Sequence, residues 1–116
     1  MSKSVRALVD QFKNRQKDIR DAMPELMKHF AGTMQVAFGD GVLDAKTKEL
    51  ATLAISIAVR CDYCIALHVA NCLKAGATRE EIMEICGVAI AMGGGPSYTY
   101  TAFVLDCLDT IEEGKA

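Results

Sequence analysis

Apolar residues recur with a helical period from one end of the chain to the other. Val5, Leu8, Val9 and Phe12 fall at i, i+3, i+4 and i+7, which is one face of a helix. This predicts a first helix over residues 3–21. Pro24 suits the first turn of a second helix, where a missing N–H does no harm. Met23, Leu26, Met27, Phe30 and Met34 make that helix's apolar stripe. Phe38-Gly39-Asp40-Gly41 reads as a loop, because glycine and aspartate favour turn conformations. Asp44 is a suitable N-cap for a third helix. From Leu50 to Val59 that segment is apolar all round, apart from Thr52 and Ser56, so it is expected to be buried on several sides.

The polar group Arg60-Cys61-Asp62-Tyr63 interrupts the run. Uninterrupted helix from Asp44 to Ala75 would be unusually long for a small domain. A break is therefore expected near Cys61, with Cys61 or Asp62 as the new N-cap, although no glycine or proline marks it. The fourth helix ends at Gly76. Thr78 and Glu81 form a capping box and open a fifth helix with Ile82, Ile85, Cys86, Ala89 and Ile90 on one face. Gly93-Gly94-Gly95-Pro96 stops it. A last helix runs from about Ser97 to Glu113, with Phe103, Val104, Leu108 and Ile111 inward. No stretch alternates with the period of a strand. The expected fold class is all-α, a bundle of about six helices in one domain spanning residues 1–116.

Composition narrows the function. The chain has 116 residues, enough for one real core. Apolar residues make up 51% and the mean hydropathy is +0.16, more than a small monomer readily hides. Part of this surface is expected between subunits of a homo-oligomer. The net charge is -2, with no basic stripe for a phosphate backbone, so nucleic acid is not an expected partner. No window approaches the ~18 apolar residues of a membrane span. The charged N-terminus has no secretory h-region, and five cysteines do not make the even count of a secreted disulfide framework. A cytoplasmic location is expected. In that reducing setting a C-x-x-C pair is more often catalytic or metal-binding than structural.

The segment RCDYCIALH, residues 60–68, carries the chemistry. Cysteines three apart in a helical turn have Cα atoms roughly 5–6 Å apart, within disulfide range. A helix N-terminus stabilises thiolate, the nucleophilic form. His68 lies one turn beyond Cys64, where an imidazole takes the thiol proton or returns it to a leaving group. Cys61, Cys64 and His68 thus describe a dithiol centre with its own base and no cofactor. A metal reading competes, since all three are zinc-ligand types and Cys72 continues the face. Eleven residues of helix put Cys61 and Cys72 roughly 16 Å apart, and zinc–sulfur bonds near ~2.3 Å cannot span that. Cys61, Cys64 and His68 with a water stay geometrically possible, as does an inert core; the redox reading is preferred. Cys72, Cys86 and Cys107 sit on apolar faces as small hydrophobes, the methionines read as core filler, and His29 reads as a surface residue. Glu49 opens an apolar helix, and spacing alone assigns it to the solvated end.

A thioredoxin fold needs strands, which this pattern lacks. An all-helical chain with this segment instead resembles the alkyl hydroperoxidase D-like branch of the carboxymuconolactone decarboxylase family. The family pattern is a glutamate, eleven residues, then C-x-x-C-x-x-x-H, met here by Glu49, Cys61, Cys64 and His68. The resemblance covers about residues 25–110 and leaves out the first helix. It implies that Cys64 attacks a peroxide, that Cys61 resolves the product as a disulfide, and that His68 and Glu49 relay the proton, partly through water. An external dithiol would be the reductant, and a trimer or hexamer the assembly. It also moves Glu49 from the solvated end into the site. One departure is Tyr63, where the best-known hydroperoxidases carry a second histidine; tyrosine is a poor base near neutral pH. The family's other activity, lactone decarboxylation, would use His68 as acid and base without thiols. A non-catalytic oligomer binding a metal or a partner through the same face is a third reading.

Overall fold

The computed structural model describes residues 2–115. They form six helices: α1 (Ser2–Ala22), α2 (Pro24–Phe38), α3 (Ala45–Ala58), α4 (Asp62–Lys74), α5 (Arg79–Gly93) and α6 (Gly95–Lys115). No strand occurs among the described residues, and none of their helices is long and apolar enough to cross a membrane. The all-α class and the helix count agree with the sequence pattern, and α6 starts slightly earlier than expected.

Local chemistry sets the helix starts. Asp44 Oδ1 accepts the Thr47 N–H at 2.8 Å and caps α3. At α5 the capping box is complete: Thr78 Oγ1 accepts from the Glu81 N–H at 3.1 Å, and Glu81 Oε1 accepts from the Thr78 N–H at 2.9 Å. Each cap satisfies amides that a helix start leaves without intrahelical partners.

The core lies among α3, α4, α5 and α6. Helix α3 packs most closely on α4 and α5, and α6 packs on the same two helices. Leu53, Ile57, Ile65, Val69, Ile82, Val104 and Leu108 are fully buried there, each worth about 1.5–3 kcal/mol of apolar burial. Ion pairs from Lys46 to Glu81 and from Arg79 to Asp109 and Glu112 tie the outer faces of α3, α5 and α6. Helix α1 lies over α4 and α6, and α2 packs on α1.

Two expectations change. No residue of α2 is buried: Leu26 is 58% and Phe30 56% exposed, so the stripe of this helix points away from the core. The methionines are not uniformly core filler, because Met23, Met34 and Met92 are exposed. Met83 is partly buried against the core.

The break before Cys61 is real and uses an uncommon residue. After α3, the Cys61 N–H bonds the Ser56 carbonyl at 3.0 Å and the Arg60 N–H bonds the Ile57 carbonyl at 3.1 Å. These are the paired bonds of a Schellman motif. The same motif ends α4, where Ala77 bonds Cys72 at 2.9 Å and Gly76 bonds Leu73 at 3.1 Å. The left-handed residue is Gly76 (φ 96°) in the second case and Arg60 (φ 60°) in the first. For a residue with a Cβ this conformation costs roughly 1–2 kcal/mol.

Candidate dithiol site

Helix α4 is built outward from Cys61. Cys61 is its N-cap residue, and its sulfur accepts the Cys64 N–H at 3.2 Å. The Schellman turn at Arg60 delivers Cys61 to this place. Cys61 and Cys64 are joined as a disulfide with Cα atoms 5.2 Å apart, the spacing a single helical turn supplies. Both are half-buried, so the pair is reachable from solvent. On reduction, the free amides and dipole of the α4 start favour thiolate over thiol.

His68 follows one turn after Cys64. Its Nδ1 lies 2.7 Å from Glu49 Oε1, and the two side chains are 16% and 15% exposed. Glu49 comes from the second turn of α3, the helix packed most tightly on α4. It is therefore not at a solvated end, as spacing alone assigned it, but folded against the imidazole. An ionised carboxylate only accepts, so Nδ1–H donates to it. That fixes the tautomer and leaves Nε2 with its lone pair free to take a proton.

Phe38 is a site residue that the sequence pattern missed. It stacks on the His68 ring, with centroids 6.1 Å apart and planes 13° from parallel. It is the last residue of α2, and the turn after it is tightly fixed. A Cβ on Gly39 would sit 2.8 Å from the Gln35 carbonyl oxygen, and Lys48 Nζ donates to the Gly39 carbonyl at 2.6 Å. A single phenylalanine beside a glycine carries no periodic signal, so it read as loop.

Tyr63, between the cysteines, packs on Phe12 of α1, with centroids 5.8 Å apart and planes at 54°. Its ring is used to dock α1 against the start of α4. The remaining thiols are buried. Burial, with the nearby negative charge of Glu49 adding to it, pushes the Cys72 thiol up to about 12. Burial also pushes Cys107 up to about 12, and raises Cys86. Thiols held protonated in this way are poor nucleophiles. His29 is exposed. Among the described residues no group of three or more His, Cys, Asp or Glu side chains is arranged to hold a metal ion.

Residues 24–106 match the sequence profile of the carboxymuconolactone decarboxylase family. The chain belongs to this family. The match begins at α2 and includes Phe38, Glu49, Cys61, Cys64 and His68, leaving α1 outside. An uncharacterized protein of Cupriavidus necator is 38% identical over 90 residues, covering 78% of this chain and 80% of that protein. The crystal structure of a carboxymuconolactone decarboxylase family protein from Legionella pneumophila is 39% identical, with a TM-score of 0.84, covering 95% of this chain and 96% of that one. A family protein of Thermotoga maritima, described as a candidate for a part in the antioxidative response, is 34% identical with a TM-score of 0.72; the match covers 77% of this chain and 92% of that one.

Proposed function

We propose that this protein is a thiol-dependent peroxidase or disulfide oxidoreductase of the alkyl hydroperoxidase D-like type. The observation that carries the reading is the pairing of a Cys61–Cys64 disulfide at a helix start with a His68–Glu49 hydrogen bond one turn away. In the reduced protein His68 Nε2 takes the Cys64 proton, and Glu49 stabilises the imidazolium. The Cys64 thiolate attacks the terminal oxygen of a hydroperoxide; the O–O bond breaks and the alcohol leaves with a proton returned from His68. Cys64 is now a sulfenic acid. The Cys61 sulfur attacks it, water leaves, and the disulfide forms. An external dithiol then reduces the pair by thiol–disulfide exchange. No cofactor takes part. The Thermotoga family protein, a candidate for a part in the antioxidative response, supports the same reading.

Lactone decarboxylation would need only the His68–Glu49 pair. The adjoining thiol pair, for which that reaction has no use, favours the redox reading. A reducing cytoplasm suits a pair that must be re-reduced. We further propose a trimer or hexamer, supported by the uncovered apolar side chains Leu26 and Phe30 of α2.

Single-cysteine variants test the mechanism. Cys64→Ser should abolish peroxide consumption, whereas Cys61→Ser should consume about one equivalent and stop at a sulfenic acid that dimedone traps. Full turnover by Cys64→Ser would end the proposal.

A further inference from the structure

A groove of about 360 Å³ runs between α1, α4 and α6, a volume within the range of small-molecule sites. Its floor is apolar, with Val9 from α1, Ala66 and Ala70 from α4, and Ile111 from α6. The two alanines, one helical turn apart, make the hollow, because a larger side chain at either position would fill it. They are also two residues removed from Cys64 and His68 respectively. At about 100° per residue this turns the alanine floor roughly 200° around α4, while Leu67 and Asn71 carry the groove's wall round toward the Cys64 face; none of Glu49, Cys61, Cys64 and His68 lines it.

The rim is charged and unbalanced. Arg6, Lys13 and Lys74 line the groove, against the single carboxylate of Asp10. None of these four is in an ion pair among the described residues, whereas Lys17, Lys46 and Arg79 all are. Lys74 does stand in the last turn of α4, where a cation complements the helix dipole. That accounts for one of the cations and not for Arg6 or Lys13 on α1. An apolar trough with excess positive charge at its edge is complementary to an anion that carries a hydrocarbon tail.

We propose that this groove binds an amphipathic monocarboxylate of medium chain length, the tail lying over Ala66 and Ala70 and the carboxylate meeting Arg6, Lys13 and Lys74. The site is distinct from the dithiol centre and does not depend on its chemistry. A second copy of the chain fits less well as an occupant, because the excess charge would require an acidic knob of matching width, whereas α2 offers the broad apolar face an interface needs.

The test is titration calorimetry of the full-length reduced protein with decanoate below its micelle concentration. Decyltrimethylammonium serves as a cation with the same tail. Decanoate should bind one per chain, and at least tenfold more tightly than the cation. Ala70→Trp, which fills the hollow, and Lys74→Glu, which reverses a rim charge at an exposed position, should each weaken decanoate at least tenfold. Equal binding of the two amphiphiles, no binding of decanoate, or undiminished binding by a folded Lys74→Glu variant would each overturn the proposal. Because Lys74 is exposed, its variant decides the matter even if Ala70→Trp fails to fold.

Discussion

Glu49 and His68 stand 19 residues apart in the chain and 2.7 Å apart in the fold. The contact crosses from α3 to α4 and turns a lone histidine into an oriented base. If that orientation serves the thiol, removing the carboxylate should slow the reaction without unfolding the protein. His68→Ala should lower the rate of peroxide-driven disulfide formation by about a hundredfold, the lower end of general acid–base effects, and Glu49→Gln, which acts only through the imidazole, by about tenfold. Stopped-flow peroxide consumption measures both. A Glu49→Gln variant as fast as the parent would show that the hydrogen bond is structural only.

Phe38 bears on the face of the same imidazole. An aromatic pair of this kind is worth about 0.5–1.5 kcal/mol, and here it holds the ring that must accept the proton. Phe38→Ala is expected to slow disulfide formation severalfold, while Phe38→Tyr restores the rate. An undiminished rate in a folded Phe38→Ala variant would reduce Phe38 to a packing residue.

The cysteines should divide by reactivity. In the reduced native protein, iodoacetamide near pH 8 should modify Cys61 and Cys64 quickly. Cys72, Cys86 and Cys107, all buried, should react only after denaturation. The same burial links stability to alkaline pH. Cys72 and Cys107 bind their protons up to about 12 in the fold, but release them near 8.5 when unfolded. The folded state thus holds more protons between these values, and stability falls as pH rises through that window. Urea midpoints between pH 8 and 11 should drop less for Cys107→Ala than for the parent. Equal slopes would contradict the assignment.

Arg60 occupies a left-handed position that Gly76 fills in the matching motif. Arg60→Gly should raise stability by up to ~1 kcal/mol, the relief of the Cβ clash less the greater unfolded-state freedom of glycine. Gly76→Ala should lower it by ~1 kcal/mol or more. Thermal melts of the two reduced variants would settle the signs. A less stable Arg60→Gly protein would mean that the arginine side chain itself holds the turn.

What was legible in the sequence follows from which features leave a local mark. The helices were readable because their apolar residues keep a 3.6-residue period, and their starts because Asp44 and Thr78 with Glu81 are side-chain caps. The bend before Cys61 could be inferred only from polarity and helix length, since its left-handed residue is an arginine rather than a glycine. Cys61, Cys64 and His68 share one helix and so declare themselves by spacing. Glu49 does not, because its partner lies on another helix; a matched motif placed it where spacing could not. Phe38 had neither kind of signal. The outward stripe of α2 looks the same in sequence as an inward one, since periodicity reports that a helix has an apolar face and not what covers it.

The central claim is that Cys61 and Cys64 work as a dithiol. The most direct measurement is a thiol count on the reduced protein before and after one equivalent of hydroperoxide, with mass mapping of the peptide that spans both residues. The account predicts rapid loss of two thiols, a bridge mapped to Cys61–Cys64, and recovery of both thiols on adding a dithiol. A pair that stays reduced while the peroxide persists would contradict it.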